Sequence, residues 1–143
     1  MSRRALGGRR RRFRLIRLRG ELIFAAEVTA PWGLRFEPGS AYFHLVTEGE
    51  ATVEASDGRT IRAAAGDLLL LSQGRGHVIG TPGVDPLAAR AVLTAQVRNE
   101  SLGIKLGGGG APARMITGMF RFEGDNIPAM LAVLPSVIHI GQA

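Results

Sequence analysis

Turn signals recur at nearly every tenth residue through the centre of this chain, and that spacing leaves room only for short elements. Pro31-Trp32-Gly33, Pro38-Gly39, Asp57-Gly58, Ala65-Gly66-Asp67 and Gln73-Gly74-Arg75-Gly76 punctuate it in turn. Short segments between regularly spaced turns are the pattern of a β-sandwich or barrel. The predicted strands are Glu21 to Val28, Leu34 to Glu37, Tyr42 to Thr47, Ala51 to Ala55, Arg59 to Ala63 and the fully apolar Leu68 to Leu71. Asp57-Gly58 reads as a hairpin turn, since both residues tolerate positive φ. His77 to Gly80, Arg90 to Val97 and Met115 to Phe122 continue the series, with Gly107 to Gly110 as a loop. One short helix is expected from Pro128 to Leu134, because Asp125 and Asn126 precede a proline in its first turn and Pro135 stops it.

Twenty glycines against one tryptophan and one tyrosine favour the same mainly-β reading. The 143 residues, 45% of them hydrophobic, suffice for one domain with a real core. The chain has no cysteine. Disulfides, thiolate metal sites and cysteine nucleophiles are therefore excluded, and a reducing compartment fits.

A net charge of +6 suggests a nucleic-acid binder until the charges are located. Nine of the 18 basic residues precede Gly20, and no acidic residue occurs before Glu21. The rest carries nine basic against 12 acidic residues, a formal charge of −3. Residues 1–14 thus read as a basic extension and residues 15–143 as one domain. The arginine-rich N-terminus would hold nucleic acid nonspecifically, by releasing counterions. No apolar run approaches the roughly 20 residues that span a bilayer, and Phe13 to Leu18 lacks the uninterrupted apolar run of a secretory signal. The expectation is a cytoplasmic protein without membrane contact.

Gly66, Gly74 and His77 stand at the spacing of the second cupin motif, Gly-x5-Pro-x-Gly-x2-His-x3-Asn, with Ser72 in place of the proline and Thr81 in place of the asparagine. The first motif of that family carries a histidine pair and a glutamate. Anchored on Gly49, it places Tyr42 at the glutamate position, and its histidine positions fall on Phe36 and Pro38, or on Arg35 and Glu37. The usual three-histidine, one-glutamate metal set is therefore broken, with His77 alone surviving. The wider text adds Leu18-Arg19-Gly20-Glu21-Leu22, Ala30-Pro31-Trp32-Gly33-Leu34-Arg35, Phe43-His44-Leu45-Val46, Gly118-Met119-Phe120-Arg121-Phe122 and Leu134-Pro135. In this order these segments, from about Leu15 to Ile140, resemble the cupin domain that heads many AraC-type transcription regulators.

The resemblance implies a double-stranded β-helix, a jelly-roll cupin barrel, that senses a small-molecule effector. It also implies linker helices and a helix-turn-helix domain, which do not appear before Ala143. The expectation is then a sensor that works as a homodimer or beside a DNA-binding regulator: a fragment, a truncated product, or a partner that titrates a longer relative. Many members carry a cysteine near the position of Thr117, and its absence argues against a metal or redox role there.

The candidate ligand-binding residues are His44, His77, Tyr42, Arg35 and Trp32. His77 stands at the motif position. Tyr42 and His44 lie two apart on one strand and so share a face; if that face is interior, His44 meets His77. Arg35 offers a planar fork to an anionic group, while the bland alternative is a solvent-facing arginine. Trp32 either stacks on a ligand or plugs one end of the barrel. No cofactor is expected in this reading. The competing reading is a small metal-dependent cupin enzyme, an isomerase or dioxygenase, with His44 and His77 holding a divalent metal. No carboxylate is evidently placed to complete that set.

Overall fold

The structure, a computed structural model, describes residues 17–55, 58–85, 88–92, 103–123 and 133–141. Eleven strands are formed there: β1 (Arg17–Thr29), β2 (Gly33–Phe36), β3 (Ala41–Glu48), β4 (Glu50–Ala55), β5 (Thr60–Ala64), β6 (Leu68–Leu71), β7 (His77–Gly80), β8 (Arg90–Val92), β9 (Gly103–Gly107), β10 (Pro112–Glu123) and β11 (Ile138–Ile140). They make two sheets. One has six strands in the order β11-β6-β3-β10-β1-β9, the other five in the order β5-β4-β7-β2-β8. Pairing is antiparallel except where β9 joins β1 and β8 joins β2.

The expected all-β architecture is present, with two differences. Among the described residues each sheet keeps its own free edges, so the expected double-sheet jelly roll takes the form of an unclosed sandwich. The apolar positions explain this: alternate residues of both sheets face one shared core, which needs two layers but no closure. No helix occurs among the described residues. The short helix expected over Pro128 to Leu134 falls outside them except for Val133 and Leu134, and these two lie in a turn and a bend. The basic extension 1–14 is also outside them. Among the described residues no helix is long and apolar enough to cross a membrane.

Strand alternation sets the core. Phe24, Ala26 and Val28 of β1, Tyr42, His44 and Val46 of β3, Leu69 and Leu71 of β6, and Met115, Thr117 and Met119 of β10 are buried on the inner face of the larger sheet. Leu34 and Phe36, Val53 and Ala55, His77 and Ile79 answer from the smaller one. The hairpin from β4 to β5 closes with Ala55 N donating to Arg59 O at 2.9 Å. Gly58 there takes a φ of 88°, a value that glycine adopts without strain.

The departures from the motif are absorbed locally. Ser72 Oγ donates to Pro135 O at 3.4 Å, tying the end of β6 to the segment before β11. Thr81 Oγ1 donates to Trp32 O at 3.2 Å and lies 3.3 Å from Trp32 N. That pair staples β7 to the start of β2.

Candidate functional site

His77 begins β7, and His44 occupies the middle of β3, in the opposite sheet. Both side chains point into the core, where their Nε2 atoms approach to 2.7 Å. On its other side, His44 Nδ1 lies 2.7 Å from Thr117 Oγ1 of β10. Register explains the second contact, since Thr117 sits directly opposite His44 across the β3–β10 ladder. Thr117 and His44 are fully buried and His77 nearly so.

Aromatic rings enclose the pair. Phe36 stacks on His77 with centroids 4.8 Å apart and planes at 5°, and it meets His44 edge-on at 5.0 Å. Tyr42 is edge-on to His77 at 5.4 Å and packs against Phe36 at 4.8 Å. Rings exclude water, and an imidazole without water around it holds a proton poorly. Burial pushes the His77 pKa down from 6.5 to about 3. Burial, and then the neighbouring His77, hold His44 well below its ordinary value. Both imidazoles are neutral at pH 7.

Neutrality locks the hydrogen positions together. A neutral imidazole has one N–H and one bare nitrogen, so only one Nε2 of the pair can donate. If His44 Nε2 donates, its Nδ1 is bare and accepts from the Thr117 hydroxyl, and His77 carries its hydrogen on Nδ1. If His77 Nε2 donates, His44 Nδ1–H donates to Thr117 and His77 Nδ1 is bare. A group that hydrogen-bonds to His77 therefore selects a tautomer that is read out on the opposite sheet.

His77 also lines the surface. An open groove of about 390 Å³ runs along the end of the smaller sheet, walled by Arg35, Glu37, Glu54, Arg75, Gly76 and His77 among others. Behind it a void of about 10 Å³ is lined by His77, Ser40, Gln73 and Ser136, enough for roughly one water. In the groove the Arg35 guanidinium Nε donates to Glu37 Oε1 at 3.1 Å.

The five sequence-derived candidates thus divide three ways. His44, His77 and Tyr42 converge in the interior. Arg35 meets His77 at the groove, from the outer face of β2. Trp32 belongs to neither: it is buried at the opposite end of β2, beside Thr81. Sequence reasoning did not select Phe36, Arg75 or Glu54, and it noted Thr117 only for the cysteine it lacks.

A family model described as Cupin matches residues 13–143. The chain is a cupin. None of the curated proteins matches it. Among solved structures it is similar to the protein YhaK from Escherichia coli, at 16% identity and a TM-score of 0.43. That match covers 90% of this chain and 43% of YhaK, so the cupin described here spans less than half the length of that protein.

A catalytic metal normally takes three protein ligands and leaves one position open. This cupin offers two imidazoles. No third His, Cys, Asp or Glu joins them among the described residues, and the Thr117 hydroxyl is engaged at the far nitrogen of His44. The donor set does not fit such a metal.

Proposed function

We propose that this cupin is an effector-sensing module and not an enzyme, binding a small polar molecule in the groove at His77. The observation that carries the reading is the double position of His77, which lines an open groove and is hydrogen-bonded through His44 to Thr117 of the other sheet. A ligand that donates to His77, or accepts from it, favours one tautomer and so one hydrogen-bonding state of Thr117. Differential binding of that kind is what a sensor needs to bias two states. Arg35, Arg75, Glu37 and Glu54 all line the groove, so a ligand carrying both donor and acceptor groups suits it better than a simple anion.

In the AraC-type regulators that the sequence resembles, a cupin head senses the effector and a separate domain binds DNA. The module proposed here would act in the same way, through a DNA-binding regulator partner. The cytoplasm is its proposed location. The metal-enzyme reading is not favoured, because only two imidazoles are available.

Native mass spectrometry of the untagged protein tests the proposal. The expected spectrum contains an organic adduct at one per chain, absent from His77→Gln. One metal ion per chain, removed by a chelator, would overturn the sensor reading and revive the enzyme.

A further inference from the structure

The groove at His77 is balanced in charge, yet two of its four ions have no partner. Arg35 and Arg75 line it as cations, Glu37 and Glu54 as anions. His77 adds no charge, because burial keeps its imidazole neutral. Arg35 and Glu37 answer each other at 3.1 Å. Among the described residues, no hydrogen bond or ion pair engages the side chain of Glu54 or of Arg75. Both residues are exposed.

Backbone register explains why these two are left over. Glu54, Val78 and Arg35 form one row across β4, β7 and β2. Val78 therefore stands between Glu54 and Arg35, which lie two strand spacings, about 10 Å, apart along the row. On the other side of Glu54 the row continues with Thr60, which carries no charge. Arg75 comes from the turn before β7. Gly39 N donates to Gly74 O of that turn at 2.9 Å. A Cβ on Gly76 would stand 3.0 Å from Phe36 O, and Gly76 takes a φ of 84°, so the turn sits against the end of β2 where a side chain would not fit. That seat brings Arg75 to the groove wall, but not within ion-pair reach of Glu54.

Two opposite charges that line one groove of about 390 Å³ without meeting leave a gap for a molecule that meets both. A simple anion would answer Arg75 and bring a second negative charge towards Glu54, and a simple cation would do the reverse. Either leaves one ion partly desolvated and unpaired, which counts against binding. A ligand with a carboxylate and an ammonium group satisfies both. The guanidinium fork suits the carboxylate, and the Glu54 carboxylate accepts from the ammonium. Phe36, Pro38 and Val78 add an apolar wall for the remainder of such a molecule. We propose, resting on the sensor reading above, that the groove recognises a small zwitterion of the free amino acid class, with its carboxylate on Arg75 and its ammonium on Glu54.

Isothermal titration of the full chain tests this with the free L-amino acids, and with β-alanine and γ-aminobutyrate for wider charge separation. At least one should bind with a Kd below about 1 mM. Its N-acetyl and amide forms, each lacking one charge, should bind at least about tenfold more weakly. Arg75→Gln and Glu54→Gln, both at exposed positions, should keep the far-UV spectrum and each weaken the free amino acid by about tenfold. Glu54→Gln should also lose the discrimination against the N-acetyl form, and Arg75→Gln that against the amide. Arg62→Gln, which removes a cation paired with Glu50 on the same sheet, should leave the affinity unchanged. Equal binding of the free and blocked forms overturns the proposal. So do Arg75→Gln and Glu54→Gln variants that bind like the wild type, or an Arg62→Gln that weakens binding as much as they do. A chain that binds none of these probes overturns it too. If that chain still carries an organic adduct absent from His77→Gln, the sensor reading stands with a ligand of another class; if it carries none, both fall.

Discussion

Thr117, His44 and His77 form a chain in which each buried polar group depends on the next. Thr117→Val keeps the shape but removes the hydroxyl, leaving His44 Nδ1 without its partner. A buried polar atom deprived of its hydrogen bond costs about 1–3 kcal/mol, and urea unfolding at pH 7 should show a loss of that size. Acid should act on the same residues. The folded state refuses protons that the unfolded chain accepts below pH 6.5, so stability is complete above that pH and falls on acidification towards about 3, the value of His77 in the fold. For one such group the slope is about 1.4 kcal/mol per pH unit. Unfolding midpoints at pH 7, 5.5 and 4.5 measure it, and His77→Gln should flatten the curve. A midpoint indifferent to pH in both proteins would mean that the imidazoles are not buried neutral.

Several elements depend on close backbone approach, and the turn between β3 and β4 shows it most clearly. Gly49 has a φ of 75°, and a Cβ on it would lie 2.4 Å from Pro112 O at the start of β10. Gly49→Ala therefore combines backbone strain with a clash against main chain. It should cost more than the roughly 1–3 kcal/mol of strain alone, read as a large fall in thermal midpoint. At the sheet's edge, β11 is three residues long and, among the described residues, pairs only with β6. It is also tied by His139 Nε2, 2.9 Å from Asp67 Oδ2, while the same oxygen accepts from Ala64 N. His139→Ala removes the tie at a partly exposed site, so a loss within about 1 kcal/mol is expected. Faster amide exchange in β11 than in β6 would accompany it.

On the scale of the whole molecule, the proposed sensing site opens on one sheet and its hydrogen-bond chain ends on the other. The groove belongs to the five-stranded sheet, and Thr117 to the six-stranded one. The His77–His44–Thr117 chain crosses between them, and Gly118, next to Thr117, leaves room for the Phe43 ring on the outer side. Under the proposed function, ligand binding at His77 and the stability of β10 are expected to be linked, and linkage is reciprocal. A small molecule that mass spectrometry detects on the wild type should slow amide exchange in β10 of the wild type but not of His77→Gln. An equal change in both would separate the two properties.

The local chemistry of this protein was legible from its residues. Leu68 to Leu71 and His77 to Gly80 are strands with the bounds their turns predicted, because a glycine or proline signal lies on either side of each. β9 escaped notice, since Gly103–Gly107 begins and ends in glycine and shows no clear alternation. The motif position singled out His77, and the spacing put Tyr42 and His44 on one face. Which face was interior had to come from the fold: Tyr42 to Val46 has apolar or aromatic groups on both sides of the strand, so periodicity alone does not orient it. Thr117 lies 73 residues from His44, and only the β3–β10 register joins them. Turns and strand alternation act over a few residues and can be read along the chain, whereas a site is made by pairing distant strands, which the tertiary structure decides.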